Sequence, residues 1–184
     1  MSKDPNFIVD LLEGVKSNQI SIDEAKAQLT HYDELGFAKI DLHRAKRQGF
    51  PEVIFGEGKT KEQINQIIES LTHHDNVILV TRIDETKAKF VLEHHPYLQY
   101  HSVANIVSTP IEEIKKSQNY ISILCAGTSD LAVAEEAALT AEVMGIQVKR
   151  FYDVGVSGIH RLFNHIHVIR QGKVSVVIAG MEGA

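Results

Sequence analysis

The stretch that most constrains the fold of this chain runs from Tyr120 to Gly145. Its first part, Tyr120 to Cys125, is an apolar run rich in β-forming residues, and its last part is rich in alanine with helical spacing. A Gly-Thr-Ser-Asp segment joins the two parts. A strand that passes through such a turn into a helix directs free backbone N–H groups and the positive end of the helix dipole at one point. The stretch therefore predicts a parallel α/β sheet with an anion site at this turn.

Three predicted strands in the last third of the chain end in loops of similar composition. The first is this turn, where Ser129 or Asp130 is expected to cap the helix, and the others are residues 153–158 and 180–183. Turns favour such residues in any protein, but in a parallel sheet the three loops lie at one edge, and their convergence favours a binding site. The candidate substrate-binding residues are Gly127, Thr128, Ser129, Asp153, Gly155, Ser157, Gly158, His160, Arg161, Gly180, Met181 and Gly183.

The segment that precedes the sheet is predicted to be helical through residue 48. Residues 4–30 carry the spacing of two helices, and residues 33–52 hold a dense basic patch in which Arg44 and Arg47 share a helix face. Two interpretations of the patch remain open. It is either a solvated helix face that ends at Gly49, or a basic arm whose two arginines bind a phosphate or carboxylate of the substrate.

A smaller α/β unit is predicted in residues 49–117. Its strands alternate with helices, which implies parallel pairing. Gly58-Lys59-Thr60 resembles the end of a phosphate-binding P-loop, but the position that should hold the first glycine of that motif is Val53. We therefore interpret these residues as a turn and a helix cap.

Composition limits the classes of function. The chain has 184 residues, 43% hydrophobic content and a formal net charge of −5, which fit a globular protein and disfavour binding to nucleic acid. No apolar run is long enough for a membrane span, and the amino terminus lacks an apolar signal region. The single cysteine, Cys125, fits a reducing cytoplasm, which is the expected location. The adjacent His94 and His95 diverge on a helix, so we expect a solvated helix end there rather than a metal site.

Residues 120–184 resemble the carboxylase fold of PurE, an aminoimidazole ribonucleotide mutase whose first loop is a Gly-Ser-x-Ser-Asp turn. Where PurE carries an Ala-His-Arg loop and a later glycine-rich loop with histidine, this chain has residues 153–161 and 179–184. Those two loops, together with residues 49–60 and 126–138, are similar to the LarB family of nickel-pincer nucleotide cofactor biosynthesis. The resemblance covers nearly all of the chain from Asp33 onward.

The resemblance implies an α/β fold. Residues 118–184 would form a PurE/flavodoxin-like three-layer parallel sheet with helices on both faces, preceded by the small α/β unit at 49–117 and the helical segment at 1–48. The implied activity is carboxylation of the pyridinium ring of nicotinic acid adenine dinucleotide with CO2 and hydrolysis of its phosphoanhydride. The products would be pyridinium-3,5-biscarboxylic acid mononucleotide and AMP, and the implied assembly is a homo-oligomer such as an octamer.

The implied chemistry needs a thiolate and a base. The pyridinium ring is electron-poor, so a thiolate must add to it before CO2 can react. The family's cysteine lies beyond the third loop, so the chain is expected to be a fragment that ends in that loop, with Cys125 as core packing. Asp130 and Glu182 are the candidate catalytic carboxylates. Either could instead hold Mg2+ or another divalent cation on the diphosphate, since hard cations prefer carboxylate oxygens.

Two other functions remain open from the sequence. One is a PurE-type aminoimidazole ribonucleotide carboxylase or mutase, which the absent histidine loop disfavours. The other is a dinucleotide-binding module without chemistry. Incubation with nicotinic acid adenine dinucleotide, bicarbonate and magnesium distinguishes all three.

Overall fold

The amino-terminal segment combines helices with a short hairpin. The computed structural model describes residues 5–29, 32–42, 44–72 and 77–184. Its first elements are α1 (Pro5–Lys16), α2 (Ile22–Leu29), β1 (Tyr32–Glu34), β2 (Lys39–Asp41) and α3 (Arg44–Gln48). The two helices predicted for residues 4–30 are confirmed. The segment that follows them differs from the helical prediction, because β1 and β2 pair as an antiparallel hairpin, with Gly36 in the left-handed conformation (φ 79°) between them.

The middle of the chain forms a four-stranded mixed sheet. Its elements are β3 (Ile54–Phe55), α4 (Lys61–Thr72), β4 (Leu79–Thr81), α5 (Glu85–His94), β5 (Gln99–His101) and β6 (Ile106–Ser108), in the strand order β3-β4-β6-β5. β3 and β4 pair in parallel, as predicted, whereas β6 runs antiparallel to both of its neighbours. The short link between β5 and β6 allows only a hairpin, because parallel pairing needs a long crossover.

A turn and a reciprocal cap begin α4, as interpreted from the sequence. The Thr60 N–H donates to the side-chain oxygen of Gln63 at 3.0 Å, and the Gln63 N–H donates to the Thr60 hydroxyl at 3.2 Å. The Lys59 ammonium folds back onto the carbonyl oxygen of Phe55 at 2.9 Å. The apolar sides of α4 and α5 then pack on the sheet.

His95, expected at a solvated helix end, is buried instead. It is 7% exposed, and its Nε2 lies 2.9 Å from Oδ1 of Asn65 in α4. Its Nδ1 lies 3.4 Å from the hydroxyl of Tyr97. Burial lowers the pKa of the imidazole. The expectation was wrong because the spacing of residues within α5 does not reveal that α4 covers the end of that helix.

The carboxyl-terminal part forms a three-stranded parallel sheet. Its elements are β7 (Tyr120–Cys125), α6 (Leu131–Val143), β8 (Gln147–Phe151), α7 (Ile159–Phe163), α8 (Ile166–Gln171) and β9 (Ser175–Ile178), in the strand order β8-β7-β9. The pleat sends Ile123 and Cys125 toward α6, while Leu124 packs with Ile169 of α8 on the other face. The α/β class is confirmed, and the likeness of this sheet to that of PurE stays a prediction.

Helix α6 lies between the two sheets. Ala134 and Ala138 pack on the three-stranded sheet, where small side chains allow the close approach that was predicted. Leu139 and Val143 pack with Leu79 of the four-stranded sheet. At 13 residues, α6 is longer than the other helices described, and none within the described ranges is long and apolar enough to cross a membrane. The two α/β units therefore share one helix.

Candidate functional site

The first two of the predicted loops meet at the carboxyl edge of the parallel sheet. The Val154 N–H donates to the carbonyl oxygen of Cys125, and the Gly155 N–H donates to that of Ala126, both at 3.0 Å. Position 155 needs glycine, because a Cβ there would lie 2.8 Å from the Ala126 oxygen. The second loop is therefore pressed directly onto the end of β7.

The third loop reaches the same place. The Ala126 N–H donates to the carbonyl oxygen of Ile178, at the end of β9, at 2.9 Å. A Cβ on Gly180 would lie 4.0 Å from Oδ1 of Asp130, so the loop passes this carboxylate closely. We call residues 126–130, 153–158 and 180–183 together the three-loop cluster.

Asp130 closes the first loop of the cluster. Its Oδ2 accepts from the Gly127 N–H at 3.2 Å, and its own N–H donates to the Gly127 carbonyl oxygen at 3.1 Å. Asp130 is the N-cap residue of α6, as expected, but its side chain makes no capping bond to that helix, because the carboxylate is used by the 3₁₀ turn before it. The N–H groups of Thr128 and Ser129 have no hydrogen-bond partner among the described residues. Two donors of this exposed turn thus remain for an anionic ligand.

Cys125 lies beneath this turn, in the core. It is fully buried, and its thiol donates to the carbonyl oxygen of Gly127 at 3.0 Å. Burial raises the pKa of the thiol, and the negative charge of Asp130 raises it further. A thiol with a raised pKa supplies little thiolate. The expectation that Cys125 is core packing is confirmed.

An ion pair between Arg161 and Asp153 spans the second loop. Nη1 of Arg161 contacts Oδ2 of Asp153, and Asp153 adopts the left-handed backbone conformation, with φ of 56°. The guanidinium lies against Gly158, where a Cβ would come within 2.5 Å of Nε. Ser157 and His160 are exposed. Arg161 itself is partly exposed, so its guanidinium can meet a phosphate or carboxylate at the cluster surface.

The third loop is exposed along its whole length. Gly180, Met181, Glu182 and Gly183 all face solvent. Glu182 and Gly183 are both in the left-handed region, with φ of 51° and 80°, and the loop closes as Ala184 N–H donates to the Met181 carbonyl oxygen at 2.9 Å. Of the two candidate catalytic carboxylates, Glu182 is therefore exposed to solvent, whereas Asp130 is half-buried between the first and third loops.

The two predicted arginines of the basic patch are not both described. Arg44 makes local contacts, an ion pair with Glu52 at 3.3 Å and a stacking contact 5.5 Å from the ring centre of Phe50. Arg47 belongs to α3, and its side chain lies outside the described residues. The helix ends before Gly49, whose φ is 83°. A role of these arginines in the site stays a prediction.

A divalent cation at Asp130 and Glu182 also stays a prediction. Within the described ranges, no group of three or more His, Cys, Asp or Glu side chains is placed to hold a metal ion. One oxygen of Asp130 already accepts from Gly127. Two carboxylates would suit Mg2+ only if substrate oxygens and water completed its six ligands.

Two cavities lie near the cluster. A small pocket of about 120 Å³, lined mainly by apolar residues, lies beside Gly155 and Gly183. A larger groove of about 520 Å³ opens between the loops after β3 and β4 and the first turns of α6. We call it the α6 groove; its charged residues are Glu57, Arg82, Asp84, Lys87 and Glu136. No motif in the sequence indicates this groove, and the nearest signal is the incomplete P-loop that ends at Gly58 to Thr60.

The fold is that of an α/β protein in which three loops converge at one edge of a parallel sheet. Comparison with known proteins adds the family. The family described as LarB/PurE-like N-terminal domain matches residues 32–111. The uncharacterized protein MJ0165 of Methanocaldococcus jannaschii is 36% identical over 187 residues, which cover 95% of this chain and 73% of that protein. The chain belongs to the LarB/PurE-like family.

Proposed function

We propose that the protein carboxylates the pyridinium ring of nicotinic acid adenine dinucleotide with CO2 and hydrolyses its phosphoanhydride, as a step of nickel-pincer nucleotide biosynthesis. The products are pyridinium-3,5-biscarboxylic acid mononucleotide and AMP. One observation carries the proposal: in a chain of the LarB/PurE-like family, three loops meet around Asp130 at the carboxyl edge of a parallel sheet. Open α/β sheets bind their ligands at this edge.

The three-loop cluster offers groups that suit each part of such a substrate. The N–H groups of Thr128 and Ser129, which have no partner in the described part of the chain, and the guanidinium of Arg161 suit phosphate or carboxylate oxygens. The small pocket beside Gly155 suits CO2, because CO2 is uncharged and the lining is mainly apolar. Asp130, half-buried beside these groups, is the carboxylate that we assign to proton transfer.

The proposed reaction begins with a covalent addition. The thiolate of a cysteine, which the family resemblance places beyond the third loop, adds to the pyridinium ring and turns it into an electron-rich dihydropyridine. A ring carbon then forms a bond to CO2, which becomes a carboxylate. Asp130, or Glu182 as the other candidate, removes the proton from that carbon and restores the dihydropyridine. Expulsion of the thiolate regenerates the aromatic pyridinium, and attack of water on the phosphoanhydride releases AMP.

Cys125 is not assigned the thiolate step, because it is buried, donates to Gly127 and has a raised pKa. The variant Cys125→Ser, made in the protein as its gene encodes it, is expected to keep full product formation. If Cys125→Ser abolishes the product while the circular dichroism spectrum stays unchanged, Cys125 is the nucleophile and this assignment is wrong.

The function is tested by incubation with nicotinic acid adenine dinucleotide, bicarbonate and Mg2+, with mass spectrometry of the products. We expect the biscarboxylated mononucleotide and AMP in equal amounts. Asp130→Asn should lower the rate by about 10²–10⁴-fold and keep the fold, since the amide oxygen still accepts from Gly127. Glu93→Gln, at an exposed carboxylate of α5, is the control and should leave the rate unchanged.

A near-normal rate in Asp130→Asn removes Asp130 from the site and leaves Glu182 as the candidate base. Carboxylation of aminoimidazole ribonucleotide in place of the dinucleotide contradicts the proposed reaction and favours the PurE-type function.

A further inference from the structure

The α6 groove lies where an α/β sheet is expected to bind a ligand. It opens at the carboxyl ends of the parallel pair β3 and β4, and its other wall is α6. Ala132 and Val133 line it, and they follow Asp130 by two and three residues. The groove therefore begins beside the three-loop cluster. Its volume of about 520 Å³ is within the usual range for small-molecule sites.

The lining of the groove is charged and rich in hydrogen-bonding groups. Arg82 and Lys87 supply positive charge, with Lys87 paired to Asp84 at 3.4 Å, while Glu57, Glu136 and Asn105 supply acceptor oxygens. Phosphate oxygens are bound by Arg and Lys, and ribose hydroxyls donate to carboxylates. A metal ion is disfavoured, since the described residues hold no group of three metal-binding side chains. This mixture suits a nucleoside 5′-phosphate, which carries acceptors on its phosphate and donors on its ribose.

Arg82 links the two walls of the groove through two long ion pairs. Its Nε lies 3.4 Å from Glu136 of α6, and its Nη1 lies 3.4 Å from Glu57 of the loop after β3. The guanidinium also lies 5.4 Å from the ring centre of Phe55. Nη2 has no hydrogen-bond partner in the part of the chain that the structure describes, and the side chain is 56% exposed. A phosphate can bind this guanidinium without breaking a buried contact.

The backbone of the groove is strained at two residues. Arg82 and Asn105 have φ of 51° and 52°, a left-handed conformation that is unfavourable for most residues with a Cβ, for arginine more than for asparagine. The two positions are joined, because the Ile83 N–H donates to the carbonyl oxygen of Asn105 at 2.9 Å. Strained backbone of this kind clusters at functional sites. The groove shares this feature with the three-loop cluster, where Asp153 and Glu182 are also left-handed, and it is an observation independent of the charges.

We propose that the α6 groove binds the nucleoside 5′-phosphate half of the dinucleotide, the half released as AMP. Arg82 contacts its phosphate, and Glu57 and Glu136 accept from its ribose hydroxyls. The identity of the ligand rests on the proposed function. The pyridinium half then occupies the three-loop cluster, and the phosphoanhydride lies near the start of α6. One helix would thus contribute to both halves of the site.

Titration calorimetry with AMP tests the groove without any need for turnover. AMP is expected to bind, and Arg82→Gln is expected to weaken its binding by about tenfold or more, because a charge-assisted hydrogen bond is lost. Adenosine lacks the phosphate, so Arg82→Gln should leave its affinity unchanged. Arg170→Gln, which removes an exposed arginine of α8, is the matched control and should not alter AMP binding.

Lys87→Gln serves as a second variant in case Arg82→Gln unfolds the chain. Equal AMP affinities in the wild type and both variants, or equal weakening by Arg82→Gln and Arg170→Gln, would overturn the assignment of the groove. AMP binding that depends on Arg82, in a protein that does not carboxylate the dinucleotide, would instead refute the proposed function and leave the groove standing. Carboxylation of the dinucleotide together with AMP binding that is independent of Arg82 would support the proposed function and refute the assignment of the groove.

Discussion

The three-loop cluster and the α6 groove both lie at carboxyl ends of parallel strands, but only the cluster could be found in the sequence. Each of its loops is a contiguous polar segment that directly follows an apolar strand. The groove instead collects single residues at positions such as 57, 82, 105 and 136, which no motif connects. A site made of whole loops leaves a local pattern, whereas a site made of separate side chains becomes visible only once α6 is packed between two sheets.

The largest expected effect comes from loosening α6 from the four-stranded sheet. Leu139 is 7% exposed and packs with Leu79 and Ile106 of that sheet. Leu139→Ala is expected to lower the free energy of unfolding by about 2–5 kcal/mol, because it leaves a cavity in a packed core. AMP affinity should fall as well, since α6 is one wall of the groove. Chemical denaturation and calorimetry measure the two effects.

Val133→Ala is the control for this truncation. Val133 lies on the same helix but is 56% exposed, so truncation of its side chain to alanine should change the free energy of unfolding by less than about 0.5 kcal/mol. Similar stabilities of the two variants would show that α6 does not join the sheets as described.

The next largest effect separates the cluster from the groove. Gly155→Ala places a Cβ 2.8 Å from the carbonyl oxygen of Ala126, so the second loop must move away from β7. We expect a loss of about 1–3 kcal/mol in the free energy of unfolding, as for other overpacked sites, with AMP affinity unchanged. Thermal unfolding and calorimetry test both statements.

Gly180→Ala is the matched variant on the third loop. The nearest atom to its new Cβ is Oδ1 of Asp130, at 4.0 Å, which is an ordinary contact. Its stability should stay close to that of the wild type. If Gly155→Ala is equally harmless, the first two loops do not meet as tightly as described, and the cluster loses its main support.

Much of the fold could be predicted from the sequence because its elements are long and strongly patterned. The path from β7 through the turn into α6 follows from an apolar run, small polar residues and an alanine-rich helix. The β1–β2 hairpin could not be predicted, because its strands have three residues each and such short strands depend on tertiary packing. The antiparallel pairing of β5 and β6 could not be predicted either, because the alternation of apolar and polar residues within a strand does not specify its partner.

The candidate site, like the fold, could be predicted from the sequence only in part. Composition pointed to the loops around Gly127, Asp153 and Gly180, because turn residues after a strand form a local signal. It could not show that Asp130 accepts from Gly127 rather than capping α6, since both bonds use the same carboxylate in the same short turn. Nor could it show that Arg82 stands between Glu57 and Glu136, a contact between residues distant in the chain.

A smaller effect is expected on the pH dependence of stability, and it comes from His95 beside the four-stranded sheet. Burial lowers the pKa of His95 in the folded protein, so the unfolded chain, with an imidazole pKa of about 6.5, binds the proton first as the pH falls. The contribution of neutral His95 to the free energy of unfolding is therefore fully present above about pH 6.5 and is lost as the pH decreases through that value. His95→Gln, which can still pair with Asn65, should reduce this loss between about pH 7.5 and about pH 5.5 in urea unfolding.

His167→Gln is the control for the pH dependence, because His167 is exposed. Its unfolding should follow the wild-type pH dependence. Some dependence should remain in His95→Gln, because burial also lowers the pKa of His101. A wild-type slope in His95→Gln would mean that His95 is protonated as easily in the folded protein as in the unfolded one.

The smallest expected effect measures the strain in the α6 groove. Asn105 has φ of 52°, its carbonyl oxygen accepts from Ile83, and its side chain accepts from the Tyr100 hydroxyl at 3.3 Å. Asn105→Ala and Asn105→Gly both lose the side-chain bond and keep the backbone bond, so they differ by a Cβ in the left-handed region. That Cβ costs about 1–2 kcal/mol, and the greater freedom of glycine in the unfolded chain offsets about 0.5–1 kcal/mol.

Asn105→Gly should therefore be more stable than Asn105→Ala, by up to about 1.5 kcal/mol. The same pair at the exposed Ser102, which is not among the left-handed residues, should show the opposite order, because glycine there has only its entropic disadvantage. Thermal unfolding of the four variants provides the comparison. If alanine is the more stable residue at both positions, residue 105 is not strained. The assignment of the groove as a ligand site would then rest on its charged residues alone, and Arg82→Gln would become the deciding variant.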